Sequence, residues 1–302
     1  GFQWRSNFVF SLNRNKILEM DTETGHLPYN LRIGDDDMTV TNSMVGHPIG
    51  QFWGYKVIGR FEEPTDFYYK DANGVLKEVP RPEGMKIAEG EAWLGDYIFA
   101  NLNGDDVIDN NDQTVIGNPE PKFTYGIGNT FSWKGFDLTV FLTGSYGNDV
   151  LNYNRRFLEV SGDNGNLLKS MGYATVEKID PDGPDDYRNY HVTGGAPLCP
   201  RLYTRSAKYK NWRVSDRYIE DGSYLRIQNI SLGYTLPKKW LQKTPLQNVK
   251  VYANLQNVYT WTKYKGYDPE VGNLWGNTLY NGIDYGRYPS PRIYTFGLNV
   301  SF

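Results

Sequence analysis

The chain has 302 residues, 22% of them charged, with a formal net charge of −3 and a pI near 5.7. It carries no long basic stripe, which excludes the electrostatic footprint of a nucleic-acid partner. No apolar run approaches the roughly 18 residues that a membrane helix needs, and a single cysteine, Cys199, excludes an intrachain disulfide.

The first element begins at once. Phe2, Trp4, Phe8 and Phe10 alternate with Gln3, Arg5, Asn7 and Ser11, the period-two pattern of a half-buried strand. No basic stretch followed by an apolar stretch precedes it, so no signal peptide can be read. The expectation is a fragment, or the ordered part, of something longer. A second strand is expected around Trp53, Tyr55, Val57 and Phe61.

A clear hairpin follows further on. Phe123, Tyr125, Ile127, Phe131 and Trp133 share one face, and Thr124, Gly126, Gly128, Thr130 and Ser132 share the other. Lys134-Gly135 makes a tight turn. The return strand sets Phe136, Leu138, Val140, Leu142 and Tyr146 against Asp137, Thr139, Thr143 and Ser145. The pattern then recurs three times. Ile230, Leu232, Tyr234 and Leu236 alternate with polar residues until Pro237, which cannot donate to a ladder. Val249, Val251, Ala253 and Leu255 form the next apolar face, and Tyr294, Phe296, Leu298, Val300 and Phe302 form the last. About eight strands are expected in all, longer than the usual 5–6 residues of soluble strands.

The fold class is therefore all-β, and the composition points to a membrane barrel. Aromatic content is 15%, with 24 Tyr, 14 Phe, 8 Trp and 32 Gly, while hydrophobic content is 39% and mean hydropathy −0.60. Only every second residue of a barrel strand meets lipid, so mean hydropathy stays low while aromatic girdles raise Tyr, Trp and Phe. The polar faces read as neutral and small, which suits a wet lumen better than the outside of a soluble sandwich. The connections alternate too. Lys134-Gly135 is short and Pro237 to Gln247 moderate, whereas Gly147 to Asp221 and Lys263 to Pro289 are long, as expected of periplasmic and extracellular ends.

Few residues suggest chemistry. The segment Asn101 to Asp112 fits a 12-residue calcium loop, with Asn101, Asn103, Asp105, Val107 (through its carbonyl), Asp109 and Asp112 as candidate ligands. Asn at the first position, Asp106 where glycine is usual and Asp at the last depart from the template. The same residues also make an Asx-rich turn that holds nothing. His26, His47 and His191 are scattered, and Cys199 between Pro197 and Pro200 reads as a structural thiol in a loop. No nucleophile elbow, zinc-protease helix or phosphate loop is present, so an enzyme has no positive support. The long connections are rich in rings: Tyr203, Tyr209, Trp212 and Tyr218 in one, Tyr264, Tyr267, Trp275, Tyr280, Tyr285 and Tyr288 in the other. Flat rings beside polar groups suit sugars or peptides, and equally suit packing of loop against loop. Trp212, Tyr267, Trp275 and Tyr280 are the candidate ligand contacts.

Several segments together resemble one family. They are Trp4 to Leu18 with Asn13-Arg14-Asn15-Lys16-Ile17, the run Gly46 to Tyr55, and Gly95-Asp96-Tyr97 through Asn103-Gly104-Asp105 to Ile116-Gly117-Asn118-Pro119 and Pro121 to Gly126. Ser223 to Ile227, Asn254 to Asn257 and the terminal Phe302 complete the set. In this order they resemble the C-terminal third of the SusC/RagA-type TonB-dependent transporters of Bacteroidetes outer membranes. The resemblance implies that residues 1–302 are the C-terminal strands of a 22-stranded antiparallel barrel, with a plug domain and TonB box upstream of them. It implies a SusD-like lipoprotein lid, energy delivered through TonB, and import of an oligosaccharide or peptide; the other reading of such a barrel is a surface adhesin or scaffold. It also implies that the last strand pairs with a strand upstream of Gly1. Direct pairing of the first and last strands would contradict that.

Overall fold

The computed structural model describes residues 1–33, 36–87, 91–159, 171–203, 209 and 211–302. Six long strands form one antiparallel sheet in chain order: β1 (Gln3–Ser11), β2 (Phe123–Trp133), β3 (Phe136–Tyr146), β4 (Tyr224–Thr235), β5 (Asn248–Thr262) and β6 (Ile293–Ser301). The register carries each face across the whole sheet. Trp4, Phe131, Leu138, Leu232, Ala253 and Phe296 lie in one row, and Arg5, Thr130, Thr139, Ser231, Asn254 and Thr295 in the row behind. A period of two, shifted by one residue at a bulge near Gln228 of β4 and again between Gln256 and Tyr259 of β5, thus separates a lipid-type face from a polar one.

Rings gather at both ends of the apolar face. Phe136 and Tyr234 pack at 4.3 Å near the short-turn end. Phe10 and Phe123 at 5.2 Å, Phe123 and Tyr146 at 5.0 Å, and Tyr259 and Trp261 at 4.8 Å do so at the other. Aliphatic residues such as Val140, Ile230 and Leu255 lie between. Two aromatic bands flanking an aliphatic one match the two interfaces of a bilayer. No helix among the described residues is long and apolar enough to cross a membrane.

The turn between β2 and β3 works because Lys134 and Gly135 both adopt positive φ, 47° and 90°, as a two-residue hairpin turn requires. A Cβ on Gly135 would also come within 2.7 Å of the Thr235 carbonyl. The polar face is less neutral than expected. Arg5, Asp137, Arg226 and Lys250 share it, and Lys250 pairs with Asp137 at 3.2 Å. The charges are tolerated because a lumen is wet.

The expected count of about eight wall strands is corrected to six. The strand expected around Trp53 to Phe61 divides into Gln51–Gly54 and Val57–Arg60, which pair with Thr114–Gly117 and Tyr97–Phe99 in small separate sheets. These residues alternate as a wall strand would, but they pack inside the loops. Among the described residues β1 pairs only with β2 and β6 only with β5, so the sheet is open and its first and last strands do not meet.

The connections 12–122, 147–223 and 263–292 all leave from the end opposite the Lys134-Gly135 turn, and they fold together into a cap. One cap core joins Tyr55, Phe61, Phe67, Leu94, Tyr97, Phe99 and Tyr209. A second takes Leu31, Val40 and Phe52 from the first connection, Leu151, Tyr153, Val214 and Tyr218 from the second, and Ile283 from the third. Gly54 sits where two of them meet: Tyr55 N–H donates to the Val214 carbonyl at 2.9 Å, and a Cβ on Gly54 would collide with that same oxygen. Gly54→Ala should destabilise the cap by about 1–3 kcal/mol and leave the wall intact. The expected result is faster proteolysis within 12–122 and unchanged heat-modifiable gel migration.

Candidate functional site

The two ring-rich connections behave differently. Tyr203, Tyr209, Trp212 and Tyr218 are all buried. Trp212, 3% exposed, packs beside Tyr203 and Met38, with the Arg156 guanidinium 5.0 Å from its ring. The expectation that Trp212 offers a face to a ligand is corrected: the cap core has taken that face. Arg156 donates to the Trp212 carbonyl at 2.6 Å, which fixes the segment from the other side.

The third connection buries Tyr264 but keeps Tyr267, Trp275, Tyr285 and Tyr288 exposed. Trp275 is 71% exposed and adopts φ 53° and ψ 25°, a left-handed conformation that costs a bulky residue about 1–2 kcal/mol. Tyr280 and Tyr285 lie 6.0 and 6.2 Å from its ring. Tyr280 is itself held at the tip: its hydroxyl donates to the Asn30 carbonyl at 2.9 Å, and Thr41 Oγ1 donates to the Leu279 carbonyl at 2.8 Å. Below them the buried Asp284 braces the connection. It accepts from Tyr264 Oη at 2.5 Å, from Asn154 Nδ2 at 3.2 Å and from the Gly286 amide at 3.0 Å. Burial, with Asp284 beside it, pushes the Tyr264 hydroxyl well above the usual tyrosine range, so it stays a donor. A cleft of about 360 Å³ opens beside Trp275, lined by Asn273, Tyr285 and Arg287.

Tyr267 belongs to a different place. It is exposed and lines a cavity of about 650 Å³ with Asn152, Arg155, Phe157, Cys199 and Arg217. In the wall of this cavity the buried Glu159 accepts from Arg155 Nε at 2.7 Å and pairs with Arg217 Nη2 at 3.4 Å. Burial pushes the Cys199 thiol up, which fits an inert structural thiol. Of the four candidate rings, the structure brings Trp275 and Tyr280 together, leaves Tyr267 apart and buries Trp212. Tyr285, not among those four, completes the exposed cluster; only its position in the same ring-rich stretch hinted at it.

The 101–112 loop uses its oxygens on its own backbone. Asn101 Oδ1 accepts from Gly104 N–H, Asn103 Oδ1 from Asp105, Asp105 Oδ1 from Val107 and Asp109 Oδ1 from Asn111. Asp112 is buried and bridges the loop ends, accepting from the Leu102 amide at 2.7 Å and the Asp109 amide at 2.9 Å. Among the described residues no group of three or more His, Cys, Asp or Glu is placed to hold a metal. In this arrangement the residues form a self-capped turn.

An aromatic-banded wall with a polar inner face and all its long connections folded into one cap is the architecture of an outer-membrane β-barrel of the transporter type. No family model matches the chain, but relatives do. It is 33% identical over 306 residues to TonB-dependent receptor P3 of Formosa agariphila, and 26% identical over 308 residues to TonB-dependent receptor SusC of Bacteroides thetaiotaomicron. Both alignments take in the whole chain, which spans about a quarter of the length of these relatives (27% and 24%). Among solved structures, the RagAB peptide importer in an open-open state superposes with a TM-score of 0.62 at 20% identity, over all of this chain and 27% of that one. The chain belongs to the SusC/RagA-type TonB-dependent receptors of the bacterial outer membrane, and it forms an open section of the barrel wall with its cap.

Glu159 with Arg155 and Arg217 forms an internal charge cluster of the cap. Glu159→Ala would leave the half-buried Arg217 without its carboxylate, and it should lower the stability of the cap by about 3 kcal/mol. A detergent-solubilised receptor melting at an unchanged temperature would show that Glu159 is dispensable.

Proposed function

We propose that the intact receptor imports a nutrient across the outer membrane under TonB control, and that this chain supplies wall strands and the cargo-facing cap. The similarity to SusC and to TonB-dependent receptor P3 supports the transport class. A plug domain and TonB box elsewhere on the polypeptide, and a SusD-like lipoprotein closing over the cap, belong to the same reading. The cargo class is an oligosaccharide or a peptide; the solved relative is described as a peptide importer. Trp275 carries the assignment of the contact surface. A large ring held in a strained backbone conformation, mostly exposed and flanked by two tyrosines, stabilises nothing by staying in water. It gains by covering an apolar face of something else.

In the intact receptor Trp275→Ala should weaken binding about tenfold, the loss of one ring contact of about 1.4 kcal/mol. The probes are a tryptic casein digest and a mixed β-glucan oligosaccharide, with heat-modifiable migration as the assembly control. Unchanged affinity for the probe that binds the parent receptor would remove Trp275 from the surface.

A calcium ion in the 101–112 loop is a separate proposal, and the carboxylates of Asp105, Asp109 and Asp112 keep lone pairs beyond those accepting backbone amides. Saturable heat on titrating calcium into the intact receptor, lost in Asp109→Asn, supports it. No heat at millimolar calcium removes it.

A further inference from the structure

We propose that Arg226, on the inner face of β4, is a positioning residue for the exposed aromatic cluster, acting through Asp268 and Glu270. This rests on the reading that the Trp275 cluster meets cargo. Arg226 is nearly buried, with its side chain 3% exposed, and all three guanidinium nitrogens are committed. Nε donates to Thr260 Oγ1 on β5 at 2.9 Å, Nη1 to Glu270 Oε2 at 2.9 Å, and Nη2 to Asp268 Oδ1. The Tyr224 ring lies 5.3 Å from the guanidinium carbon. One cation therefore ties two wall strands to two carboxylates at the foot of the 263–292 connection.

Asp268 closes that foot. Its Oδ1 also accepts from the Glu270 amide at 3.0 Å, and Oδ2 accepts from the Ser290 amide at 3.2 Å, so both limbs of the connection meet at one carboxylate. From there the limbs are cross-linked upward. The Arg287 guanidinium donates to the Val271 carbonyl, Gly282 N–H donates to the Gly272 carbonyl at 2.9 Å, and Asn273 bridges Asn281. Trp275 is two residues beyond that last rung. The foot and the ring are thus joined by a short, braced ladder.

The charge count makes the foot depend on Arg226. Asp268 and Glu270 face the same guanidinium, and removing it leaves two carboxylates together near the inner wall with no shared cation. Like charges at that spacing repel, and the buried one loses its partner. The tip, by contrast, is held by neutral hydrogen bonds from Tyr280 and Thr41. Loss of Arg226 should therefore free the foot while the tip stays docked, swinging the ladder that carries Trp275. Lysine retains the charge but cannot reach Thr260, Asp268 and Glu270 at once, since it lacks the planar fork.

Hydrogen–deuterium exchange on the intact receptor tests this. Arg226→Gln should speed exchange about tenfold in 264–272, with 278–284 and the strands β4 and β5 unchanged. Arg226→Lys should fall between. Binding of whichever probe the parent receptor holds, the casein digest or the β-glucan oligosaccharide, should weaken in Arg226→Gln in step with Trp275→Ala. Unchanged exchange in 264–272 would overturn the proposal, and so would an equal rise throughout β4 and β5, because Arg226 would then only support the wall. If Trp275→Ala leaves probe binding unchanged, the cargo reading fails, while the exchange data still judge the clamp.

Discussion

Hydrocarbon offers no hydrogen-bond partner, so every backbone N–H and C=O crossing the bilayer must be satisfied inside the protein. That constraint sets the wall. It demands long strands paired in continuous register, and β2 to β5 are each hydrogen-bonded on both sides. Once the strands are paired, the period of two decides the rest. Phe296, Leu232 and Trp4 face lipid because Thr295, Ser231 and Arg5 face the lumen. Among the described residues the outer edges of β1 and β6 carry no strand partner.

The cap obeys different physics. At the loop end the backbone can meet water, so long irregular connections are permitted, and they are stabilised by cores of their own. The second core takes residues from all three connections and so ties them to one another. Tyr218 is buried in that core, and Trp212 in a smaller cluster with Tyr203 against Met38. The 263–292 connection is anchored at its foot by a guanidinium and at its tip by neutral hydrogen bonds, and the segment between them is turned outward at Trp275.

Wall and cap are not independent. Arg226 belongs to the ladder of β4 and to the foot of the third connection. Arg226 shares the sequence parity of Ile230 and Leu232, and the register shift beside it at Gln228 turns it to the inner face. A change in the bilayer-embedded wall can therefore reach the aromatic cluster through one side chain, without passing through either cap core.

The wall can be read from local pattern. Alternation in 123–146, 229–236, 249–256 and 294–302 marks strands because each side chain's environment depends on its parity, a local property. The Lys134-Gly135 turn and Pro237 are local for the same reason. Within the cap, local pattern misleads. Trp53 and Val57 alternate as a wall strand does, yet their partners are Val115 and Phe99, and no parity rule announces that. The oxygens of Asn101 to Asp109 have the spacing of a calcium loop, and only the fold shows them turned onto backbone amides. Trp212 and Trp275 look alike in the sequence, each a tryptophan in a ring-rich loop. Tertiary structure alone separates them. Burial is decided by which connections meet in space, and those meetings link residues more than a hundred positions apart.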